Sequence, residues 1–100
     1  MSTETVQESE PTAELMTAEY LMEIARDGDD RGWPTELRLL WTEMRDDTLA
    51  VMDRVLGEGF LQPVEIGPDG RVWNGHHRIA VAAALGIMVP VVRIAEPADV

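Results

Sequence analysis

The segment of this chain with the greatest capacity for chemistry is the run Asn74-Gly75-His76-His77-Arg78, which leads into an alanine-rich stretch. Histidine can donate, accept or transfer a proton near neutral pH, and an arginine guanidinium can form two parallel hydrogen bonds to a phosphate. A glycine directly before a helix leaves the first-turn N–H groups unpaired, and the helix dipole adds partial positive charge at the same place. The run therefore predicts an anion site, and phosphate is the anion that suits these groups.

A structural interpretation of the same residues stays open. Asn74 could cap the helix, one histidine could bond to backbone, and Arg78 could pair with one of the 19 acidic residues. No metal site is predicted, because the adjacent histidines would diverge by about 100° on a helix and no third ligand has a suitable spacing.

The front half of the chain carries helical patterns. Apolar spacing over 12–26 favours a helix, with a short strand over 20–24 as the alternative, and glycine, proline and aspartate predict a loop over 27–34. A stripe of period 3.6 predicts helix over 35–57, in one or two pieces. Two pieces are indicated by Asp46 and Asp47, which resemble a second N-cap.

The rear half predicts the elements that must position the run. We expect, in order, a strand through Val64 and Ile66, a tight turn at 68–70, a strand from Val72, a helix over 76–85 closed by Gly86, and a strand over 89–94. The whole is therefore expected to be one α+β domain over 12–100, with a helical front (12–56) and a motif-bearing core (57–94). Residues 1–11, rich in Glu, Ser and Thr, predict a disordered acidic tail.

Composition excludes several classes of function. The net charge is −11, and the first 30 residues hold nine acidic residues and one arginine, so a basic surface for duplex DNA is not predicted. The chain has no cysteine and no lysine, which excludes thiol chemistry, disulfides and a lysine that binds phosphate. No apolar run is long enough to cross a membrane, and the acidic start does not resemble a secretory signal. We therefore expect a cytoplasmic protein.

Residues 57–94 resemble the ParB N-terminal domain and sulfiredoxin superfamily, also called the ParB-like nuclease domain. The resemblance rests on three ordered signals: Gln62-Pro63-Val64 after a helix that ends in glycine, the Gly75-x-x-Arg78 loop with its alanine-rich helix, and a closing Val-Pro-Val-Val strand. It implies a small mixed sheet with helices packed on it.

The resemblance also implies a ligand. In that family the loop binds nucleotide phosphates, which are those of CTP in partition proteins and of ATP in sulfiredoxins. Gly75, His76, His77 and Arg78 would then form the loop here, and Gln62 would line the same pocket. CTP or ATP, with or without Mg²⁺, is the implied ligand, and His76 and His77 are the candidate catalytic residues.

Departures from the family narrow this expectation. His76 stands where sulfiredoxins have their reactive cysteine, so that activity is excluded. The second nucleotide motif and the DNA-binding domain of partition proteins have no counterpart in this sequence. Small kinases that act on free serine carry similar Gly-His-His-Arg loops and a catalytic glutamate, for which Glu43, Glu58 and Glu65 are candidates here.

The leading prediction is a stand-alone ParB-like domain, of the kind found in bacteria and phages, that binds a nucleotide or another phosphate ligand. Hydrolysis of a nucleoside triphosphate is left open. One alternative is a non-catalytic module that binds a partner protein through its acidic front, and a homodimer is compatible with so small a domain. Further alternatives are the kinase and a nuclease, whose Mg²⁺ would need carboxylates from Asp27, Asp29, Asp30 and Asp69.

Overall fold

The computed structural model describes residues 13–95, so the disordered tail predicted for 1–11 lies outside the described residues. The described part has an α+β fold, which confirms the predicted class of a mixed sheet with helices packed on it. Its helices are Ala18–Ile24 (α1), Trp33–Thr42 (α2), Arg45–Glu58 (α3) and His76–Leu85 (α4). Its strands are Glu14–Met16 (β1), Val64–Ile66 (β2), Val72–Asn74 (β3) and Val89–Arg93 (β4).

The four strands form one sheet in the order β1-β4-β2-β3. β2 and β3 pair as an antiparallel hairpin, β4 pairs antiparallel with β1, and β4 runs parallel to β2 with Val64 opposite Val91. The parallel strands β2 and β4 cannot be joined by a tight turn, and the chain connects them through β3 and α4. The start of α4 therefore lies directly at the end of the hairpin.

The hydrophobic core lies between the sheet and the helices α1 and α4. Alternate residues of the strands point into it, as a half-buried sheet requires. The front and the motif-bearing core share this single cluster, whose largest members are Met16, Leu21, Trp33, Val64, Ile66, Val72, Ile79, Val89 and Val91. The acidic front is therefore not a separate folding unit.

Helix α4 has the predicted bounds, from His76 to Leu85. Gly75 precedes it with φ of 109°, and Gly86 ends it with φ of 69°, a left-handed conformation that glycine adopts without strain. The alanines give high helix propensity and allow the helix to be buried on most of its surface. No helix within residues 13–95 is both long and apolar enough to span a membrane.

The prediction of helix over 12–26 is wrong in its first part. Residues 14–16 form β1, whose three residues are too few to show a period of two, and the strand exists because it pairs with β4. Helix α1 begins only at Ala18, after Thr17, whose hydroxyl accepts a hydrogen bond from the Tyr20 N–H at 3.1 Å.

The helical region predicted over 35–57 consists of two helices, which is one of the two predicted arrangements. The positions at which these helices begin differ from the prediction. α2 begins at Trp33 rather than after the predicted loop, because proline is favoured in a first helical turn and Pro34 stands there. α3 begins after Met44, so Asp46 and Asp47 lie in its first turn instead of capping it. Their carboxylates still interact favourably with the helix dipole.

The corner between α2 and α3 is closed by Thr48, which is fully buried. Its hydroxyl lies 2.7 Å from the Leu40 carbonyl, one of the last carbonyls of α2 that no helical N–H can reach. The same oxygen lies 2.9 Å from Nδ1 of His77 on α4. One hydroxyl thus connects three helices.

We predict that Thr48→Val lowers the free energy of unfolding by about 1–3 kcal/mol, because valine has a similar shape but leaves the Leu40 carbonyl and the His77 ring without a buried partner. Thr42→Val is the matched control, since Thr42 donates to the Arg38 carbonyl on an exposed surface. Urea denaturation followed by circular dichroism measures both. Equal effects of the two substitutions would contradict the role of Thr48.

Candidate functional site

The loop 75–78 lies between two depressions in the surface. The first, which we call the arginine cleft, has a volume of about 170 Å³ and is lined by Val51, Arg54, Val55, Gly59, Phe60, Leu61, Gln62 and Arg78. The second, which we call the histidine groove, has a volume of about 280 Å³ and is lined by Asp29, Glu36, Leu40, Met44, Trp73, Asn74, Gly75, His76 and His77. The structure thus brings the loop residues 75–78 and Gln62, which the resemblance assigned to one pocket, to these two depressions.

Gly75 packs directly on strand β2. A Cβ atom at this position would lie 2.9 Å from Cγ2 of Val64, closer than real Cβ atoms approach, and 3.0 Å from its Cα, which is also an unusually tight contact. The positive φ of Gly75 is a second reason for glycine. The first turn of α4 is therefore fixed tightly over the end of the hairpin.

The guanidinium of Arg78 is held by neutral acceptors. Nη2 donates to Oε1 of Gln62 at 2.9 Å, and Nη1 donates to the Pro63 carbonyl at 3.3 Å. Arginine has five N–H donors, so most of its hydrogen-bonding capacity is unused. The ion pairs found within residues 13–95 do not include Arg78, so the interpretation of this residue as the partner of a carboxylate receives no support there.

The arginine cleft contains a second cation and no carboxylate. Arg54 on α3 faces the same depression as Arg78, and no Asp or Glu lines it. The chain has a net charge of −11, so this cleft, which two arginines and no acidic side chain line, is an exception to the overall negative charge. The cleft therefore suits an anion better than the histidine groove does, since Asp29 and Glu36 line the groove.

His76 is held between the loop before α2 and an aromatic ring. Its Nε2 accepts a hydrogen bond from the Gly28 N–H at 3.0 Å, and its ring lies 5.9 Å from that of Trp33, measured between centroids. Since Nε2 must be unprotonated to accept, a neutral His76 carries its hydrogen on Nδ1. One ring nitrogen is thus committed to the fold.

His77 keeps a free ring nitrogen. Thr48 has one hydroxyl hydrogen, and carbonyls can only accept, so we assign it to the Leu40 carbonyl at 2.7 Å, which is nearer than the Met44 carbonyl at 3.1 Å. The hydroxyl oxygen then accepts from Nδ1–H of His77, and Nε2 of the neutral ring is left with its lone pair. Of the two histidines, His77 is therefore the one fitted to accept a proton.

Glu36 is the site residue that the sequence interpretation missed. Its side chain lines the histidine groove and is 7% exposed, and its Oε1 has no hydrogen-bond partner. A buried polar atom without a partner costs free energy, so Glu36 is a candidate for a role other than stability. Glu36 shares the buried face of α2 with Trp33 and Leu40, and a carboxylate on an apolar helix face was the signal that could have identified it.

The three glutamates considered for catalysis do not reach either depression. Glu43 lies at the exposed corner between α2 and α3, Glu58 ends α3, and Glu65 lies within β2, and none of them lines the arginine cleft or the histidine groove. Their spacing in the sequence carried no information about which carboxylate faces the loop.

The aspartates considered for a nuclease serve the local structure. Asp27 is buried and accepts from the N–H groups of Arg31 and Gly32, at 2.9 and 3.1 Å, and Asp29 pairs with Arg31. Asp69 accepts from Nε1 of Trp73. Within residues 13–95, no three His, Asp or Glu side chains are arranged to hold a metal ion.

The two depressions differ in what they can bind. The arginine cleft offers guanidinium donors to an anion, whereas the histidine groove combines the carboxylate of Glu36 with the Nε2 of His77, both of which can accept a proton. The α4 N-terminus lies between them and adds partial positive charge. A ligand that carries both an anionic group and hydrogen-bond donors fits this combination.

We predict that Glu36→Leu raises the free energy of unfolding by about 1 kcal/mol or more, because the substitution removes a buried oxygen that has no partner and adds apolar contact on the buried face of α2. Glu43→Leu, at an exposed position, is the control and should change stability little. Both are measured by urea denaturation. A marked destabilisation by Glu36→Leu would show that the carboxylate has a structural role.

Comparison of the chain with protein-family models, with curated proteins and with solved structures finds no match. The resemblance to the ParB N-terminal domain and sulfiredoxin superfamily therefore stays a prediction from the motifs themselves.

Proposed function

We propose that this domain binds a nucleotide through its phosphates, with Arg78 as the principal phosphate ligand. The observation that supports this most directly is that the Arg78 guanidinium is fixed by two neutral acceptors and has no carboxylate partner within residues 13–95. A cation held in this way keeps its charge available for an anion. The first-turn N–H groups of α4 and the nearby Arg54 add to the same attraction.

The phosphates belong in the arginine cleft rather than in the histidine groove. The carboxylate of Glu36 would repel an unaccompanied phosphate in the groove, whereas no acidic side chain lines the cleft. CTP and ATP are the ligands that the motif resemblance favours. Any Mg²⁺ would arrive with the phosphates, since no cluster of protein ligands for it occurs within residues 13–95.

The histidine groove supports a reaction at the bound phosphate. In hydrolysis, the oxygen of a water molecule forms a bond to the terminal phosphorus, the bond to the bridging oxygen breaks, and the water gives up a proton. Glu36 and His77 both line the groove beside the loop, and each has an acceptor atom without an assigned partner. Either can take that proton, so we place general-base catalysis there and assign His76 to positioning.

The interaction alternative for the acidic front also stays a prediction. Met16, Leu21 and Ala25 of the front belong to the same core as α4, so removal of the first 30 residues would remove part of the folded domain. An experiment that deletes the front cannot separate the two functions, and point substitutions in the arginine cleft are the better test.

Arg78→Ala is expected to weaken binding of CTP or ATP by tenfold or more, because charge-assisted hydrogen bonds contribute about 1.5–3 kcal/mol each. Isothermal titration calorimetry gives the Kd, and the melting temperature should change little. Arg93→Ala makes the same change in net charge on β4, away from the cleft, and should leave the Kd near that of the unaltered protein. A folded protein that binds neither nucleotide would refute the proposal.

Glu36→Gln is expected to lower the rate of phosphate release by roughly 10²–10⁴-fold while leaving nucleotide affinity unchanged or higher, since the amide keeps the shape of the side chain but cannot accept a proton. His77→Gln tests the other candidate base in the same assay. If neither substitution slows turnover, the base lies elsewhere. If the unaltered protein binds nucleotide but releases no phosphate, the domain is a binding module.

A further inference from the structure

Trp73 lies at the edge of the histidine groove with one face covered and the other open. The ring packs flat on Gly67 in the hairpin: a Cβ atom at Gly67 would lie 2.0 Å from Cε2 of the indole, so only glycine leaves room for it. The side chain is nevertheless 52% exposed. Since one face is against the backbone of Gly67, the exposed part is the opposite face and the rim.

The orientation of the indole is fixed by a hydrogen bond. Nε1 of Trp73 donates to Oδ1 of Asp69 at 3.1 Å, and the same oxygen accepts from the N–H of Arg71 at 3.1 Å. The Pro-Asp-Gly turn therefore does more than reverse the chain, because its aspartate holds the ring on the hairpin. An aromatic ring held before a ligand arrives loses little conformational entropy on binding.

The other large aromatic side chains do not have this arrangement. Trp33 is buried in the core, and Trp41 is only partly exposed on α2. Tyr20 is as exposed as Trp73, but it lies on α1, outside the histidine groove and the arginine cleft. The exposed ring that is held by a neighbour and borders the predicted site is Trp73.

Trp73 is also close to the phosphate loop. One residue, Asn74, separates it from Gly75, so their Cα atoms lie no more than about 7 Å apart, a span that the sugar of a nucleotide can bridge. Arg78 lies on the far side of Gly75, beside Gln62 and Pro63. A ligand that contacts both Arg78 and Trp73 would extend across the α4 N-terminus.

We propose that the open face of Trp73 stacks on the base of the bound nucleotide. The inference rests on the proposed function and extends it, since it requires a ligand with a planar aromatic ring rather than a simple phosphate ester. Stacking on an indole tolerates any base, so Trp73 provides affinity for the base without selecting among bases.

The test compares three probes on the full chain: CTP or ATP, the corresponding nucleoside, and inorganic tripolyphosphate. Trp73→Leu should weaken nucleotide binding by about tenfold and leave tripolyphosphate binding unchanged, because base stacking contributes only to the first. Trp73→Phe keeps a ring and should retain most of the affinity. Tyr20→Leu, which removes an equally exposed aromatic side chain, should change neither.

Tryptophan fluorescence supplies a second measurement that does not depend on a destabilising variant. Nucleotide should quench the emission of the unaltered protein, and most of that change should be absent from Trp73→Phe, in which only Trp33 and Trp41 remain. Circular dichroism confirms that each variant is folded before its Kd is interpreted.

The possible results separate the two proposals. Unchanged nucleotide affinity in Trp73→Leu, or an equal loss for nucleotide and tripolyphosphate, would overturn stacking while the phosphate site stands. Binding of the nucleoside but not of tripolyphosphate would support stacking and overturn the phosphate site. If the folded protein binds none of the probes, both proposals fail.

Discussion

The contact of Gly75 with Val64 is the constraint on which the rest of the site depends. Because no side chain fits between them, α4 starts directly over β2, and the three residues that follow the glycine leave the helix in different directions. His76 reaches the loop before α2, His77 reaches the corner of α2 and α3, and Arg78 reaches the segment before β2. Adjacent helical residues point about 100° apart, so one short run holds three other parts of the chain.

The same geometry separates the charges around the loop. On one side Arg54 and Arg78 share a cleft that no carboxylate lines, and on the other the uncompensated Glu36 shares a groove with the histidines. Asp29 also lines that groove, but its charge is offset by Arg31. The arginine cleft of this acidic protein therefore suits an anion, and the adjacent histidine groove suits a proton donor. The N-terminus of α4, with its partial positive charge, lies between the two.

Two features of the site oppose stability. The buried Oε1 of Glu36 has no partner, and Trp73 exposes half of a large apolar ring although a hydrogen bond to Asp69 fixes its position. Two other buried side chains are paired, since Asp27 accepts from two backbone N–H groups and Thr48 donates to the Leu40 carbonyl, whereas Nε of Arg71 also has no partner. Glu36 and Trp73 both line the histidine groove, so these two unfavourable features meet at one place.

The sequence by itself determined the local elements of this domain. Helix α4 with its closing Gly86 and the turn at 68–70 followed from helix propensity and turn residues, which act over a few neighbours. Only the tertiary structure decided what depends on distant pairing. β1 is a strand because it meets β4 some 75 residues later, and Glu36 faces the loop because α2 packs against α4. The hydrogen bonds of His76 to Gly28 and of His77 to Thr48 likewise decide which histidine keeps a free ring nitrogen. These partners lie far away along the chain and leave no periodic signal in the sequence, so the sequence alone could not identify them.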